Sequence, residues 1–244
     1  MSSFTYLISG ASRSLGLGYS RALLASSNNV KVIAGARNPS SADQLQALQK
    51  EVGKGRLYIL KLDVEDASAV QNAIKELESS GFLEAGGLDA LINNAGVAVA
   101  PEAPSATKPD LVMQNFTTNL FGVMNLTSAC LPLLKKGKGK QIFGVSSICG
   151  SLGGFFSDNS LATAYCISKA ALNMYLRKLS RELESDGFTV VPYHPGYVKT
   201  SVTSGQGELT TEEAVKLAVD NVILKVSKED NGKFYDYNGK IVPW

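Results

Sequence analysis

The sequence predicts an α/β fold: one doubly wound, parallel β-sheet with helices on both faces. Three observations carry this. Short runs rich in Val, Ile and Leu alternate with longer helical patterns along the chain. The short runs are apolar throughout, as strands are when helices cover both faces of the sheet. A glycine-containing turn directly follows the first run and opens a helix. Repetition of strand, helix and strand implies right-handed crossovers. The competing eight-stranded barrel needs eight complete units, more than the chain supplies.

Taken in order, Phe4–Ser9 reads as a strand and Leu15–Ser27 as a helix with Leu17, Leu23 and Leu24 on its apolar face. Val30–Gly35 is a second strand, and Ser41–Val52 is a helix with Leu45, Leu48 and Val52 spaced three and four apart. Arg56–Leu62 is a strand, followed by a helix over Ala67–Ser79 whose stripe is Val70, Ala73, Ile74 and Leu77. Leu88–Ile92 is a fourth strand, and a long helical stretch covers Leu111–Leu134. Gln141–Ser146, the helix Thr163–Glu184 and the strand Thr189–Tyr193 come next. A helix over Thr211–Lys225 and a short strand at Lys233–Tyr235 complete the series. No linker interrupts it, so residues 1–244 are expected to form a single domain.

Composition excludes several classes. With 44% hydrophobic residues the chain is too apolar for disorder. Its 24 basic and 22 acidic residues leave +2, without the basic excess of a strong nucleic-acid binder. The basic run Lys135–Lys140 lies between a helix and a strand and reads as a solvated loop. Three cysteines and one histidine, without CxxC spacing, predict neither a disulfide framework nor a metal site. No apolar run approaches the roughly 18 residues of a membrane span, and no targeting segment is expected before Phe4. A cytoplasmic protein without nucleic-acid or membrane partners is expected.

The turn after the first strand reads Ser9-Gly10-Ala11-Ser12-Arg13-Ser14-Leu15-Gly16. A strand, a glycine turn and a helix N-terminus together suit a diphosphate, because the first amides of the helix are unpaired and lie at its positive end. After the second strand, where an NAD-selective protein carries an acid for the ribose 2′-hydroxyl, this chain has Arg37. Arg13 and Arg37 would suit a 2′-phosphate, since guanidinium pairs bidentately with phosphate oxygens.

The motifs that follow resemble the classical short-chain dehydrogenase/reductase family over nearly the whole chain. Ser9, Gly10 and Gly16 match its glycine loop, although Ser14 replaces the usual middle glycine. Leu62-Asp63-Val64, Asn93-Asn94-Ala95-Gly96, Asn119, Tyr165-x-x-x-Lys169 and Pro195-Gly196-Tyr197-Val198-Lys199-Thr200 follow in the family's order, with Ser147 after the fifth strand. The resemblance implies a Rossmann-type fold and NADP(H) as cofactor. It assigns cofactor contacts to Gly10, Ser12, Arg13, Ser14, Leu15, Gly16, Arg37, Asp63, Val64, Asn93, Ala95, Gly96, Tyr165, Lys169, Pro195, Gly196, Val198 and Thr200. It makes Ser147, Tyr165, Lys169 and Asn119 a catalytic tetrad. The ending Gly232–Trp244 is similar to that of the sniffer-like and C-factor-like carbonyl reductases, some of whose fungal relatives reduce aromatic diketones such as benzil.

The residues support this chemistry independently. Tyr165 and Lys169 are four apart on one helical face. A nearby ammonium is expected to lower the phenol pKa from near 10, so that Tyr165 donates a proton to a carbonyl oxygen while Ser147 orients that oxygen. Asn119 is expected to interrupt its helix and hold a water. Ser147 and Tyr165 stand eighteen apart, enough for an enlarged 150–160 loop in which Phe155 and Phe156 either meet substrate or anchor the loop. Ser151 competes with Ser147 for the serine role. His194 reads as a packed histidine, and Phe234 and Trp244 as core residues.

Little chain is left for a helical lid after Thr200. The expected activity is NADPH-dependent reduction of ketones, aldehydes or diketones. The alternative is an NADP-binding regulatory or scaffold protein with lost catalysis. A homodimer through the helices near 111–134 and 163–184 is expected.

Overall fold

The structure, a computed structural model, describes residues 3–99, 101–154 and 160–244. Seven strands form one sheet: β1 (Phe4–Ile8), β2 (Val30–Ala36), β3 (Leu57–Lys61), β4 (Ala90–Asn93), β5 (Gln141–Val145), β6 (Thr189–His194) and β7 (Tyr235–Asp236). Their order is β3-β2-β1-β4-β5-β6-β7, and every named pair is parallel. This is the doubly wound Rossmann-type sheet, with its order reversing between β1 and β4.

Alternation along each strand builds two cores. In β1, Tyr6 and Ile8 face one layer, with Leu17 and Leu23 of α1 (Ser14–Ser26), Leu45 and Leu48 of α2 (Asp43–Val52) and Val215 further on. Leu7, between them, faces the other. That layer contains Val70 and Leu77 of α3 (Ala67–Ser79) and residues of the two long helices. Helices therefore cover both faces, which is why the strands are apolar without alternation.

The expected long helix is divided. It comprises α4 (Pro109–Phe116), a π-helical turn (Thr117–Gly122) and α5 (Val123–Lys136). Asn119 lies in the π turn, the interruption expected there. The next long helix, α6, runs Thr163–Glu182, and α7 (Thr211–Ala218) passes into a second π turn, Val219–Ile223. The last strand lies at Tyr235–Asp236, past the expected Lys233–Tyr235, because β7 pairs only with Tyr193 and His194.

The basic run contributes more than a solvated loop. Buried Asp89 accepts from the amides of Lys138 (2.9 Å) and Gly139 (3.1 Å) with one oxygen and from Thr5 (2.8 Å) with the other. This carboxylate ties the turn before β5 to the start of β1.

Candidate active site

The crevice where an open sheet reverses its order is the usual ligand site. Here it lies beyond the carboxyl ends of β1 and β4. Ser9 Oγ accepts from the amides of Asn94 and Ala95, each at 3.0 Å. Asn94 Nδ2 donates to the carbonyls of Ser9 (2.9 Å) and Gly10 (3.2 Å). Gly10 turns the chain at φ +65°. A Cβ on Gly16 would lie 2.3 Å from the Gly10 carbonyl oxygen, so no larger residue fits where α1 meets the turn. Asn94, absent from the expected contact residues, is thus the brace of the glycine loop. Its signal was its place in the Asn-Asn-Ala-Gly segment.

No side chain caps α1, and its first turn carries no acid. Its leading amides are available to an anion. The Ala11 amide donates to Gly35 O at 2.8 Å and ties this loop to the end of β2, one residue pair before Arg37. Arg13 and Arg37 are exposed and make no ion pair among the described residues. The uncapped helix, the close-packed turn and two unpaired guanidiniums fit a phosphorylated dinucleotide.

Ser14 sits at φ +51°, in the left-handed region. That conformation explains why glycine suits this position, and it costs an ordinary L-residue about 1–2 kcal/mol. The serine is strained by the turn, a property sequence alone did not expose.

Other expected cofactor residues are engaged by neighbours. Asn93 Nδ2 donates to Thr127 Oγ1 at 3.1 Å. Val64 packs on Gly122, and its carbonyl accepts from Asn125 Nδ2 at 3.2 Å. Asp63 Oδ1 accepts from the Glu65 amide at 3.1 Å. Buried Pro195 and half-buried Gly196 (φ +95°) turn the chain after β6. Val198 pairs with Leu209, and Thr200 Oγ1 accepts from the Val202 amide at 3.2 Å. The segment from Thr200 to α7 holds only a short 3-10 turn, Ser201–Thr203, in place of a helical lid.

Ser147 follows β5, its hydroxyl accepting from the Cys149 amide at 3.2 Å, and Tyr165 stands in the first turn of α6. Lys169 is buried one turn further on; its Nζ donates to Val145 O at 2.9 Å and lies 5.7 Å from the centre of the Tyr165 ring. A Cβ on Gly96 would lie 3.2 Å from Asn119 Oδ1 and 3.6 Å from Lys169 Nζ, so the end of β4 opens onto the same cluster. Asn119 is fully buried: its Oδ1 accepts from the Val97 amide, and its Nδ2 donates to Val97 O and Ser168 Oγ, each at 2.9 Å. Its side chain joins the segment after β4 to α6. Ser151 Oγ instead donates to Pro243 O at 2.5 Å, which removes it from competition with Ser147. Phe155 and Phe156 lie outside the described residues.

The expected effect of Lys169 on Tyr165 is corrected. Burial raises the Tyr165 pKa, and the Cys149 and Cys166 thiols add to the rise, against the pull of the Ser147 hydroxyl. Burial also lowers the Lys169 pKa to about 8. Tyr165 therefore holds its proton firmly.

Two further expectations are adjusted. Phe234 is fully buried, but Trp244 is 40% exposed, its ring 5.7 Å from Phe234 and beneath the Arg177 guanidinium. His194 is packed as expected; its Nδ1 has no hydrogen-bond partner among the described residues, and burial lowers its pKa to about 4 against the pull of Asp236.

The family model for short chain dehydrogenases matches residues 5–211. The chain belongs to that family, whose members are oxidoreductases of the CH–OH/carbonyl couple. The carbonyl reductase Sniffer of D. melanogaster superposes with a TM-score of 0.90 at 31% identity, covering 99% of this chain and 100% of that one. The NADPH-bound carbonyl reductase from chicken fatty liver gives 0.90 and 31%, covering all of both chains. An uncharacterized oxidoreductase of Schizosaccharomyces pombe is 32% identical over 98% of this chain and 97% of its own. Among the described residues, no helix is long and apolar enough to cross a membrane.

Two predictions follow from this geometry. Ser14→Gly relieves the left-handed strain and should raise unfolding stability by up to about 1 kcal/mol in chemical denaturation; lower stability would contradict the strain. His194 is the only histidine, so one imidazole titration should appear by NMR, with its midpoint at about 4. Its folded pKa lies below the unfolded value of about 6.5, so its contribution to stability is complete above 6.5 and is lost as pH falls towards 4. A midpoint near 6.5 would contradict the buried, unpartnered ring.

Proposed function

We propose that this protein is an NADPH-dependent carbonyl reductase acting on small ketones, aldehydes or diketones through Ser147, Tyr165, Lys169 and Asn119. The observation that carries the reading is buried Lys169 against the end of β5, its Nζ 2.9 Å from Val145 O and 5.7 Å from the centre of the Tyr165 ring, with Asn119 Oδ1 close by, bonded to the segment after β4. The carbonyl reductases it superposes on, one of them NADPH-bound, support the substrate class and cofactor.

The glycine loop and the start of α1 hold the diphosphate, and Arg13 and Arg37 the 2′-phosphate. Reduced nicotinamide supplies the hydride when bound. Ser147 donates a hydrogen bond that fixes the substrate oxygen, and Tyr165 transfers its proton to that oxygen as negative charge develops. The raised Tyr165 pKa keeps that proton in place until the oxygen becomes basic. Lys169 then lends positive charge to the phenolate, while its bond to Val145 O fixes its position. Asn119 acts as a positioning residue: it holds Val97 and Ser168, the latter also bonded to Tyr165 O at 2.7 Å. Tyr165 recovers its proton from solvent.

The short segment after Thr200 leaves the substrate side open, in keeping with broad substrate acceptance. Exposed Met113, Phe121, Met124, Ile167 and Met174 on α4, the π turn, α5 and α6 support a homodimer through these helices.

A panel of aldehydes, ketones, quinones and diketones including benzil, assayed with NADPH and NADH, tests the reading. Oxidation of NADPH by at least one reactive dicarbonyl is expected; failure across the panel would overturn the activity. Arg37→Ala should weaken NADPH binding by roughly tenfold to 10²-fold, the worth of a charge-assisted hydrogen bond of about 1.5–3 kcal/mol, and leave NADH binding little changed. Equal losses would remove Arg37 from the 2′-phosphate site.

A further inference from the structure

Glu65 and Thr118 make a contact that the proposed mechanism does not use. Thr118 is buried in the π turn, and its hydroxyl donates to Glu65 Oε1 at 2.5 Å, on the segment after β3. The threonine before it behaves differently. Thr117 Oγ1 returns to its own helix and donates to Met113 O at 2.9 Å, the local bond that helical threonines commonly make. Thr118 instead reaches across the fold, in a hydrogen bond strengthened by the carboxylate charge. Two further contacts fix the same junction. A Cβ on Gly122 would lie 2.8 Å from Val64 Cγ2 and 3.3 Å from Val64 O, so the π turn rests on this segment. Asn125 Nδ2 on α5 donates to Val64 O at 3.2 Å.

The junction has two ends. On one side, the Leu62 amide donates to Ala36 O at 2.9 Å, which sets Asp63, Val64 and Glu65 beside the residue before Arg37. Asp63 Oδ1 accepts from the Glu65 amide at 3.1 Å, so the Asp63 side chain shapes the turn that presents Glu65. On the other side is Asn119, the next residue of the π turn. It bonds to Val97 through both polar atoms of its amide and to Ser168 Oγ, each at 2.9 Å. Ser168 Oγ donates in turn to Tyr165 O at 2.7 Å. Asp63, Glu65, Thr118, Asn119, Ser168 and Tyr165 are therefore joined without a gap. A π turn inside a helix is uncommon and tends to occur at functional sites.

We propose that Glu65 and Thr118 are positioning residues that carry docking of the cofactor's adenosine half to Asn119 and the start of α6. The inference rests on the cofactor reading above, in which Arg37 holds the 2′-phosphate and Asp63 and Val64 lie against the same half of the dinucleotide. A ligand seated on Asp63 holds the Asp63–Glu65 turn in one arrangement. The Glu65–Thr118 bond passes that constraint to the π turn, where Asn119 ties Val97 to the helix of Tyr165. Contiguous hydrogen bonds and packed elements carry energetic coupling of this kind. Glu65 and Thr118 touch no reacting atom; they act through Asn119.

Adenosine 2′,5′-bisphosphate has the adenosine half and its phosphates but no nicotinamide, so it engages only one end of the path. It is titrated into the isotope-labelled full chain while NMR follows the Asn119 side-chain amide and the Val97 backbone amide. Bound probe should shift both signals in the wild type and in Thr118→Ser, which keeps the hydroxyl. Thr118→Val is isosteric but lacks the hydroxyl. It should bind the probe within a few-fold of wild type and leave both signals at their free positions. Glu65→Leu should behave alike, with no further loss in the double variant, as expected for two partners of one contact. With NADPH and a carbonyl substrate, Thr118→Val should lose up to about 10²-fold in kcat with little change in KM for NADPH, and Thr118→Ser should retain kcat. Bound probe that moves neither signal in the wild type, or moves both in Thr118→Val, would overturn the inference, as would a wild-type kcat in Thr118→Val. A probe that does not bind at all overturns the cofactor site and this inference with it. Shifts of both signals in a chain that reduces no carbonyl uphold the coupling and count against the proposed activity.

Discussion

The rest of the site depends on one contact: the turn after β5 lies flush on α6, with Gly150 against the backbone of Lys169 and Ala170. That approach sets the turn carrying Ser147 against the helix of Tyr165 and lets buried Lys169 reach Val145 O. It is reinforced from behind: Asn173 on α6 donates to Gly150 O at 3.2 Å and accepts from Ser146 Oγ at 2.5 Å. A hydroxyl, a phenol and an ammonium are thereby held by backbone packing before any ligand arrives, which is what preorganisation requires.

The same economy governs the cofactor side. Reversal of strand order between β1 and β4 leaves a crevice, and Ser9 and Asn94 bind the two strand ends across it. Gly16 then brings α1 onto the turn. Ser14 carries the conformational cost of this arrangement, an L-residue in a turn geometry suited to glycine. Two π turns accompany the helices, and one of them places Asn119 where it locks the segment after β4 to α6.

The fold was legible because it rests on periodicity. Apolar strands and amphipathic helices appear directly in the residue pattern, and six of seven strands lie close to where the pattern puts them. Ser147, Tyr165, Lys169 and Asn119 were singled out through the family resemblance of their motifs, and Lys169 lies near both the Tyr165 ring and Asn119 in the fold. What the sequence concealed depends on three-dimensional direction. The side chains of Asn93 and Asn94 point to opposite sides of one strand end, one to Thr127 and one to the glycine loop. Ser147 and Ser151 are separated only by the Pro243 carbonyl that engages Ser151. The Tyr165 pKa moved against expectation because burial, which spacing along the helix does not reveal, dominates it. Trp244 looked like core by composition but closes over Phe234 from the surface.

The central claim is that Tyr165 is the acid that completes hydride transfer. Stopped-flow measurement of NADPH oxidation by benzil in Tyr165→Phe, with NADPH affinity from fluorescence titration of the same protein, tests it most directly. The account predicts that the hydride-transfer rate falls by on the order of 10²–10⁴-fold while NADPH still binds as in the wild type. A rate within a few-fold of wild type would contradict it.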